Sequence, residues 1–314
     1  MNLVEKWYTV IILLAVVIGI GIGQVEWIPA NAESLIVPLL IAMLYLTFLQ
    51  IPVEDVRKAF KNVRFTFTTV VINFVWAPLL AWLLAMLFLG DHPALYIGFI
   101  MLMVTPCTDW YLIFTGMAKG NIALSTAILP LNLLLQVLLL PVYLLVFGGA
   151  TGVIELSFLV ESVLLVLGLP FLLAFLTKAL LKGKQPLREK WLAKISVWPI
   201  FLLSFAIMAM FASQGQLLLE HLDYMWLITI PILLFFVINF LVSQKVGRLL
   251  AFSQSDRVSL SLTTLARNSP IALAIAMTAF PDEPLLALTL VVGPLLELPI
   301  LAVVTQLLLF FRQN

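Results

Sequence analysis

The sequence predicts an all-α polytopic membrane protein of ten transmembrane helices, arranged as two inverted five-helix repeats over residues 1-150 and 151-314. Three observations carry that expectation. The chain is 63% hydrophobic and only 11% charged, whereas a soluble domain is about a quarter charged. Apolar runs of about 20 residues, each enough to cross a hydrocarbon core of ~30 Å, recur along the whole length. Lysine and arginine are confined to alternate connecting loops, as the positive-inside rule requires of a multi-pass protein.

The spans follow in order. Trp7 to Gly23 is too long for a signal-peptide h-region and lacks a small-x-small cleavage site with basic residues ahead of it, so it reads as span 1. The polar turn Gln24 to Asn31 leads to span 2, Ser34 to Ile51. Span 3, Phe65 to Leu89, ends at Gly90-Asp91-His92-Pro93, and span 4 is Ala94 to Ala118. Span 5, Ile122 to Phe147, stops at Gly148-Gly149. The second half reads Leu156 to Leu181, Ile195 to Ala212, Leu222 to Ser243, Val258 to Phe280 and Leu285 to Phe311. Its last two spans are separated by Pro281-Asp282-Glu283-Pro284.

Charge orients this stack. Lys6, Arg57, Lys58, Lys61, Arg64, Lys119, the stretch Lys178 to Lys194, Lys245, Arg248, Arg257 and Arg312 all fall on one side. Glu26, Glu33, Asp91, Glu155, Glu220, Asp223, Asp282 and Glu283 fall on the other, with no lysine or arginine among them. Both termini are therefore expected in the cytoplasm, the protein lying in the cell inner (plasma) membrane. Trp7, Trp27, Trp191 and Trp226 near span ends form the aromatic belt.

Five spans per half force the second half to insert upside down, the usual architecture of alternating-access carriers. The interruptions fall at matching places: Thr105-Pro106-Cys107-Thr108 in span 4 and Arg267-Asn268-Ser269-Pro270 in span 9. A proline removes a backbone donor and clashes with the preceding turn, so Pro106 and Pro270 are expected to break their helices. The freed carbonyls and N–H groups cannot face lipid and are expected to serve as ligands beside Cys107, Thr108, Arg267, Asn268 and Ser269. The last span of each half carries a polar residue after a proline, Asn132 after Pro130 and Glu297 after Pro294. Ser125, Asn132 and Thr263 are supporting polar groups.

Asp109, Arg267 and Glu297 are the ionisable groups inside these elements. A charge at the bilayer centre costs at least about 2.5–3.5 kcal/mol, which marks such groups as functional candidates. One arginine pairs with one carboxylate and leaves the other desolvated, able to take and release protons; Asp109 and Glu297 are thus the coupling candidates. Cys107 offers a soft ligand for a thiophilic centre, or is simply a small core residue. Being the single cysteine, it excludes an intramolecular disulfide.

The net charge of +1 gives no reason to expect nucleic acid. No Walker loop or glycine-rich phosphate cradle is present, so ATP is not expected to drive transport, and no cofactor or bound metal is implied. An intramembrane hydrolase built on Asp109 with Glu297 or Cys107 lacks a histidine base, since His92 and His221 fall in outer loops. An enzyme is not expected.

Pro106-Cys107-Thr108, Ala118-Lys119-Gly120-Asn121 and the run from Val291 to Pro299 resemble the arsenical-resistance (arsenite) permeases of yeast and bacteria. These belong with the bile acid/sodium symporters in the bile acid/arsenite/riboflavin transporter superfamily. The resemblance implies a ten-helix fold of two inverted repeats, with crossed, broken helices 4 and 9, a core domain and a panel domain. It implies export of As(OH)3 or Sb(OH)3 driven by inward proton flow, with Cys107 as the essential cysteine of helix 4 and Glu297 as the glutamate of helix 10. The sequence departs from that pattern at span 9. The arsenite permeases have a Gly-Asn-Asn-Phe-Glu type sequence there, and the symporter branch a sodium-binding glutamate and glutamine where Thr263 and Arg267 stand.

Two functions are therefore expected to compete. One is proton-coupled efflux of arsenite or antimonite, with H+ rather than Na+ as coupling ion. The other is an organic-anion carrier in which Arg267 and the half-helix amino ends hold the anion. Either is expected to act as a monomer or homodimer in the lipid bilayer on a small-molecule or metalloid substrate.

Overall fold

The computed structural model describes residues 8–25, 27–50, 60–107, 110–148, 161–162, 164–181, 194–220, 222–280 and 283–313. Two candidate site residues, Thr108 and Asp109, lie outside them, as do Trp7, Glu155, Trp191, His221, Asp282, the 150/151 repeat boundary and most of the basic stretch after Lys178.

The described chain is helical, in the order α1 (Tyr8–Ile22), α2 (Ile28–Gln50), α3 (Val63–Leu89), α4 (Pro93–Met103), α5 (Trp110–Met117) and α6 (Ile122–Gly148). Then come α7 (Leu164–Leu180), α8 (Trp198–Glu220), α9 (Leu222–Leu249), α10 (Gln254–Leu265), α11 (Ser269–Ala279) and α12 (Pro284–Gln313). Five stretches are long and apolar enough to cross a membrane: Asn31–Gln50, Val63–Leu89, Ile122–Gly148, Asp223–Leu249 and Leu285–Phe311. Five shorter apolar helices, Leu13–Ile22, Pro93–Met103, Leu164–Leu180, Trp198–Ser213 and Ser269–Ala279, fall on the remaining predicted spans.

Differences from the expected boundaries have local causes. The turn expected over Gln24 to Asn31 is shorter, because Asn31 Nδ2 donates to Trp27 O and α2 starts at Ile28 with Pro29 in its first turn. Span 3 is continuous but contains a π-turn at Ile72–Trp76. Spans 7 and 8 run on past Ala212 and Ser243 to Glu220 and Leu249.

These helices are inverted relative to those of a soluble protein. On α9, Ile230, Leu233, Val237 and Leu241 face outward at helical spacing, while Asn239 and Ser243 are buried. Apolar surface faces lipid at no cost, and polar groups must find partners inside.

The helices pack as two groups. α2 and α1 both lie against α8, and α7 lies against α2. The other group is built around α4 against α12 and α9 against α10, with α3 and α5 packed on α4, α9 and α10, and α11 on α12. Gly98 makes the α4–α12 approach possible: a Cβ there would sit 2.8 Å from Leu286 O and 2.9 Å from Thr289 Cβ. α11 bridges to the first group by packing on α2. Every break described below belongs to the second group.

Candidate functional site

Spans 4 and 9 are both broken, and the breaks lie against each other. α4 ends at Met103 and α5 starts at Trp110; α10 ends at Leu265 and α11 starts at Ser269. Between them Pro106 and Arg267 form an antiparallel bridge. Its hydrogen bonds are made by the flanking residues, Cys107 N to Ala266 O at 2.9 Å and Asn268 N to Thr105 O at 2.7 Å. Pro106 thus occupies the pair position that needs no donor, where its missing N–H costs nothing. Pro270 plays a different part from the expected break: it sits in the first turn of α11, where N–H groups have no helical partner anyway.

The carbonyls freed at the end of α10 were expected to be ligands, but side chains and main chain of the protein take them. Asn73 Nδ2 reaches Thr263 O at 3.4 Å, Asn239 Nδ2 reaches Thr264 O, and Arg267 donates to Thr264 O and Leu265 O. Ala266 O is held by the bridge. At the end of α4, Thr105 Oγ1 donates to Met101 O at 2.9 Å and the Arg267 guanidinium to Met103 O at 2.9 Å. An unsatisfied carbonyl in hydrocarbon costs several kcal/mol, and these contacts remove that cost one group at a time.

The amino ends of the second half-helices meet side chains of the breaks themselves. The Trp110 N–H meets Cys107 Sγ at 3.4 Å, and the Ile271 N–H meets Asn268 Oδ1 at 3.4 Å. Cys107, Asn268 and Ser269 are all buried. A cavity of about 210 Å³ runs between these amino ends and the first helix group, lined by Met43, Thr47, Gln50, Trp110, Pro199 and Pro270 among others. Of the candidate residues Pro270 lies on its wall, while Cys107 is one hydrogen bond behind Trp110. The cavity sits at the end of α2 where Lys178 Nζ donates to Phe48 O at 2.7 Å, the end that carries the basic loops.

Glu297 is buried on α12, and its Oε1 accepts the main-chain N–H of Arg267 at 2.9 Å. The expected ion pair between Arg267 and a carboxylate is absent among the described residues; three guanidinium donors face carbonyls, and Cζ lies 4.9 Å from the centre of the Phe235 ring. Arg267 is not among the residues lining the cavity. Ser125 Oγ and Thr263 Oγ1 are 3.4 Å apart, and Tyr111 donates to Ser125 O at 2.8 Å. Asn132 is buried with no hydrogen-bond partner for its side chain among the described residues, and so is Gln136 one turn on.

Asn73, Asn239 and Phe235 were not anticipated as site residues. A lone amide inside an apolar span is the signal for the first two. Ala118-Lys119-Gly120-Asn121, singled out by its motif, joins α5 to α6 and fastens them to α10: Asn121 Nδ2 donates to Asp256 Oδ1 at 2.8 Å and Ser259 Oγ to Asn121 O at 2.9 Å.

The sequence model of the Sodium Bile acid symporter family matches residues 37–221. The chain is 25% identical to the arsenical-resistance protein Acr3 of Corynebacterium glutamicum over 96% of its own length and 87% of that protein's. It is 21% identical to the Acr3 of Alkaliphilus metalliredigens, covering 96% and 91%. A further relative, the uncharacterized transporter slr0944 of Synechocystis sp., is 26% identical, covering 98% and 88%. These similarities bear out the resemblance read from the motifs of spans 4 and 10. With a family match over more than half of its length and apolar helices throughout, this chain is a multi-pass membrane transporter and belongs to the Sodium Bile acid symporter family.

Proposed function

We propose that the protein exports arsenite and antimonite, as neutral trihydroxides, in exchange for protons. The observation that carries this reading is the setting of Cys107. Its thiol is buried in the break of span 4, accepts an N–H at the amino end of α5, and lies behind a cavity wall formed by that same residue, Trp110. Sulfur at this place is the soft ligand that a thiophilic metalloid takes. As(OH)3 condenses with one thiol to give a single S–As bond and release one water. A lone thiol holds such a centre weakly enough to let it go, as a carrier requires. The similarity to two proteins named for arsenical resistance supports the same cargo.

Glu297 is the coupling residue in this reading. Its carboxylate is buried and attached to the main chain of the span 9 break, so taking up a proton changes the hydrogen bond that fastens the bridge to α12. Asp109 is a second proton site. The two halves, 1-150 and 151-314, act as inverted repeats that rock about the crossing. The basic end is cytoplasmic by the positive-inside rule, in the plasma membrane, so the cavity near Gln50 faces inward.

The organic-anion reading is favoured by the family description. It draws less support from Arg267, whose donors face carbonyls. The test is growth of an exporter-deficient strain on arsenite with this protein or its Cys107→Ala variant, at matched membrane expression. Resistance that Cys107→Ala abolishes is expected. Growth indifferent to both arsenite and the substitution would overturn the proposal.

A further inference from the structure

The C-terminal ends of two half-helices converge on one side chain. Arg267 Nη1 donates to Met103 O, the last residue of α4, at 2.9 Å. Its Nε donates to Leu265 O, the last residue of α10, at 3.2 Å, and its Nη2 to Thr264 O. The residue is 2% exposed. Each helix end carries roughly half a negative charge. Two such ends meeting in a dry interior, with three carbonyl oxygens aimed at one point, make a surrounding that requires a cation. Neutral carbonyl oxygens are the ligands that alkali-metal ions take from proteins. Here the guanidinium stands at their focus, with the Phe235 ring on its face at 4.9 Å.

We propose that Arg267 is a tethered cation that permanently fills a carbonyl-lined monovalent-cation site at the crossing of the broken helices, so that the carrier works without an alkali-metal co-substrate. A mobile ion in this place would enter and leave with each cycle and carry coupling energy. A guanidinium fixed to the chain does neither. It holds the crossing together in every state, and coupling passes to a group that changes its own charge. Glu297, bonded to the main-chain N–H of the same residue, is adjacent for that purpose. This inference depends on the transporter family and not on the cargo.

The test is the melting temperature of the purified full chain in detergent, at constant ionic strength, in choline, sodium or methylguanidinium chloride. Wild type should melt alike in all three. Arg267→Ala should melt lower in choline by more than about 5 °C, and sodium or methylguanidinium at about 100 mM should restore at least half of that loss by mass action on the vacated site. Arg267→Lys keeps the charge and should stay insensitive to sodium. Arg267→Gln keeps donors but no charge and should behave as the alanine variant does. A wild type stabilised by sodium, an alanine variant that no cation restores, or a glutamine variant indistinguishable from wild type would each overturn the proposal. If the alanine variant cannot be purified, the opposite responses of the lysine and glutamine variants decide the matter. Failure of arsenite resistance leaves these melting curves unchanged, so the two proposals fall separately.

Discussion

The main-chain N–H of Arg267 donates to Glu297 Oε1 at 2.9 Å, joining the break of span 9 to the middle of span 10. The bond follows from the bridge with Pro106. In that pair the flanking residues supply the cross-strand hydrogen bonds, so the N–H of Arg267 points away from Pro106 and must find another acceptor. Buried at this depth, it finds a carboxylate.

Glu297→Gln separates the two roles of that carboxylate. The carboxamide oxygen still accepts the Arg267 N–H, so the fold should be kept, but the side chain no longer exchanges a proton. Metalloid uptake into everted vesicles driven by a pH gradient should fall at least about tenfold, with melting shifted by no more than a few degrees. Glu297→Ala also orphans the buried N–H, at a cost of about 1–3 kcal/mol, and should lower the melting temperature as well. Equal transport by wild type and the glutamine variant would remove Glu297 from the coupling.

Cys107→Ser keeps the size and the acceptor for the Trp110 N–H while removing the soft sulfur. Arsenite transport should be lost, while burial of the hydroxyl should cost no more than about 1–3 kcal/mol. Thiol alkylation of wild type should be slowed by arsenite at concentrations that saturate transport. An unaffected alkylation rate would detach the thiol from the cargo.

Much of this was legible in the sequence, and what was not has a common cause. Apolar runs and polar interruptions are local, so both breaks could be placed from Thr105-Pro106-Cys107 and Arg267-Asn268-Ser269 alone. Proline by itself was a poor guide. Pro38, Pro130, Pro141, Pro231, Pro294 and Pro299 all lie inside continuous helices, and Pro270 starts one. Partners remote in sequence were out of reach: charge alone suggests an acid for Arg267, and nothing in the chain around it points to the carbonyl of Met103, to which its guanidinium also donates. The expectation that freed carbonyls become ligands overlooked Asn73 and Asn239, neutral residues that attract no notice when charges are sought.

Asn239→Leu should therefore matter although Asn239 touches neither cavity nor cysteine. Its Nδ2 caps Thr264 O, a carbonyl at the end of α10 that has no helical donor. Leucine leaves Arg267 as the remaining donor to that carbonyl. A loss of about 1–3 kcal/mol is expected, read as a lower melting temperature and faster cleavage by added protease. The combination with Arg267→Gln should cost more than the sum of the single changes, since the two donors share one acceptor. Simple additivity would mean that the two caps act independently.

Gly120 tests the join between the two halves at the other end of α5. A Cβ there would lie 2.7 Å from Thr115 Cγ2, 2.8 Å from Val258 Cγ1 and 3.1 Å from Ser259 Oγ. Thr115 and Ser259 are buried, and Ser259 Oγ is already committed to Asn121 O, so these neighbours have little room to give. Gly120→Ala should cost about 1–3 kcal/mol by overpacking and loosen the Asn121–Asp256 clasp beside it. Gly116, one turn earlier, is the control: its nearest neighbour would be Ile122 Cδ1 at 3.4 Å, ordinary contact with a flexible tip. Gly116→Ala should leave the melting temperature unchanged or raise it slightly, because alanine favours helix over glycine by up to about 1 kcal/mol. Equal behaviour of the two alanine variants would mean that the close packing of α5 on α10 contributes nothing to stability.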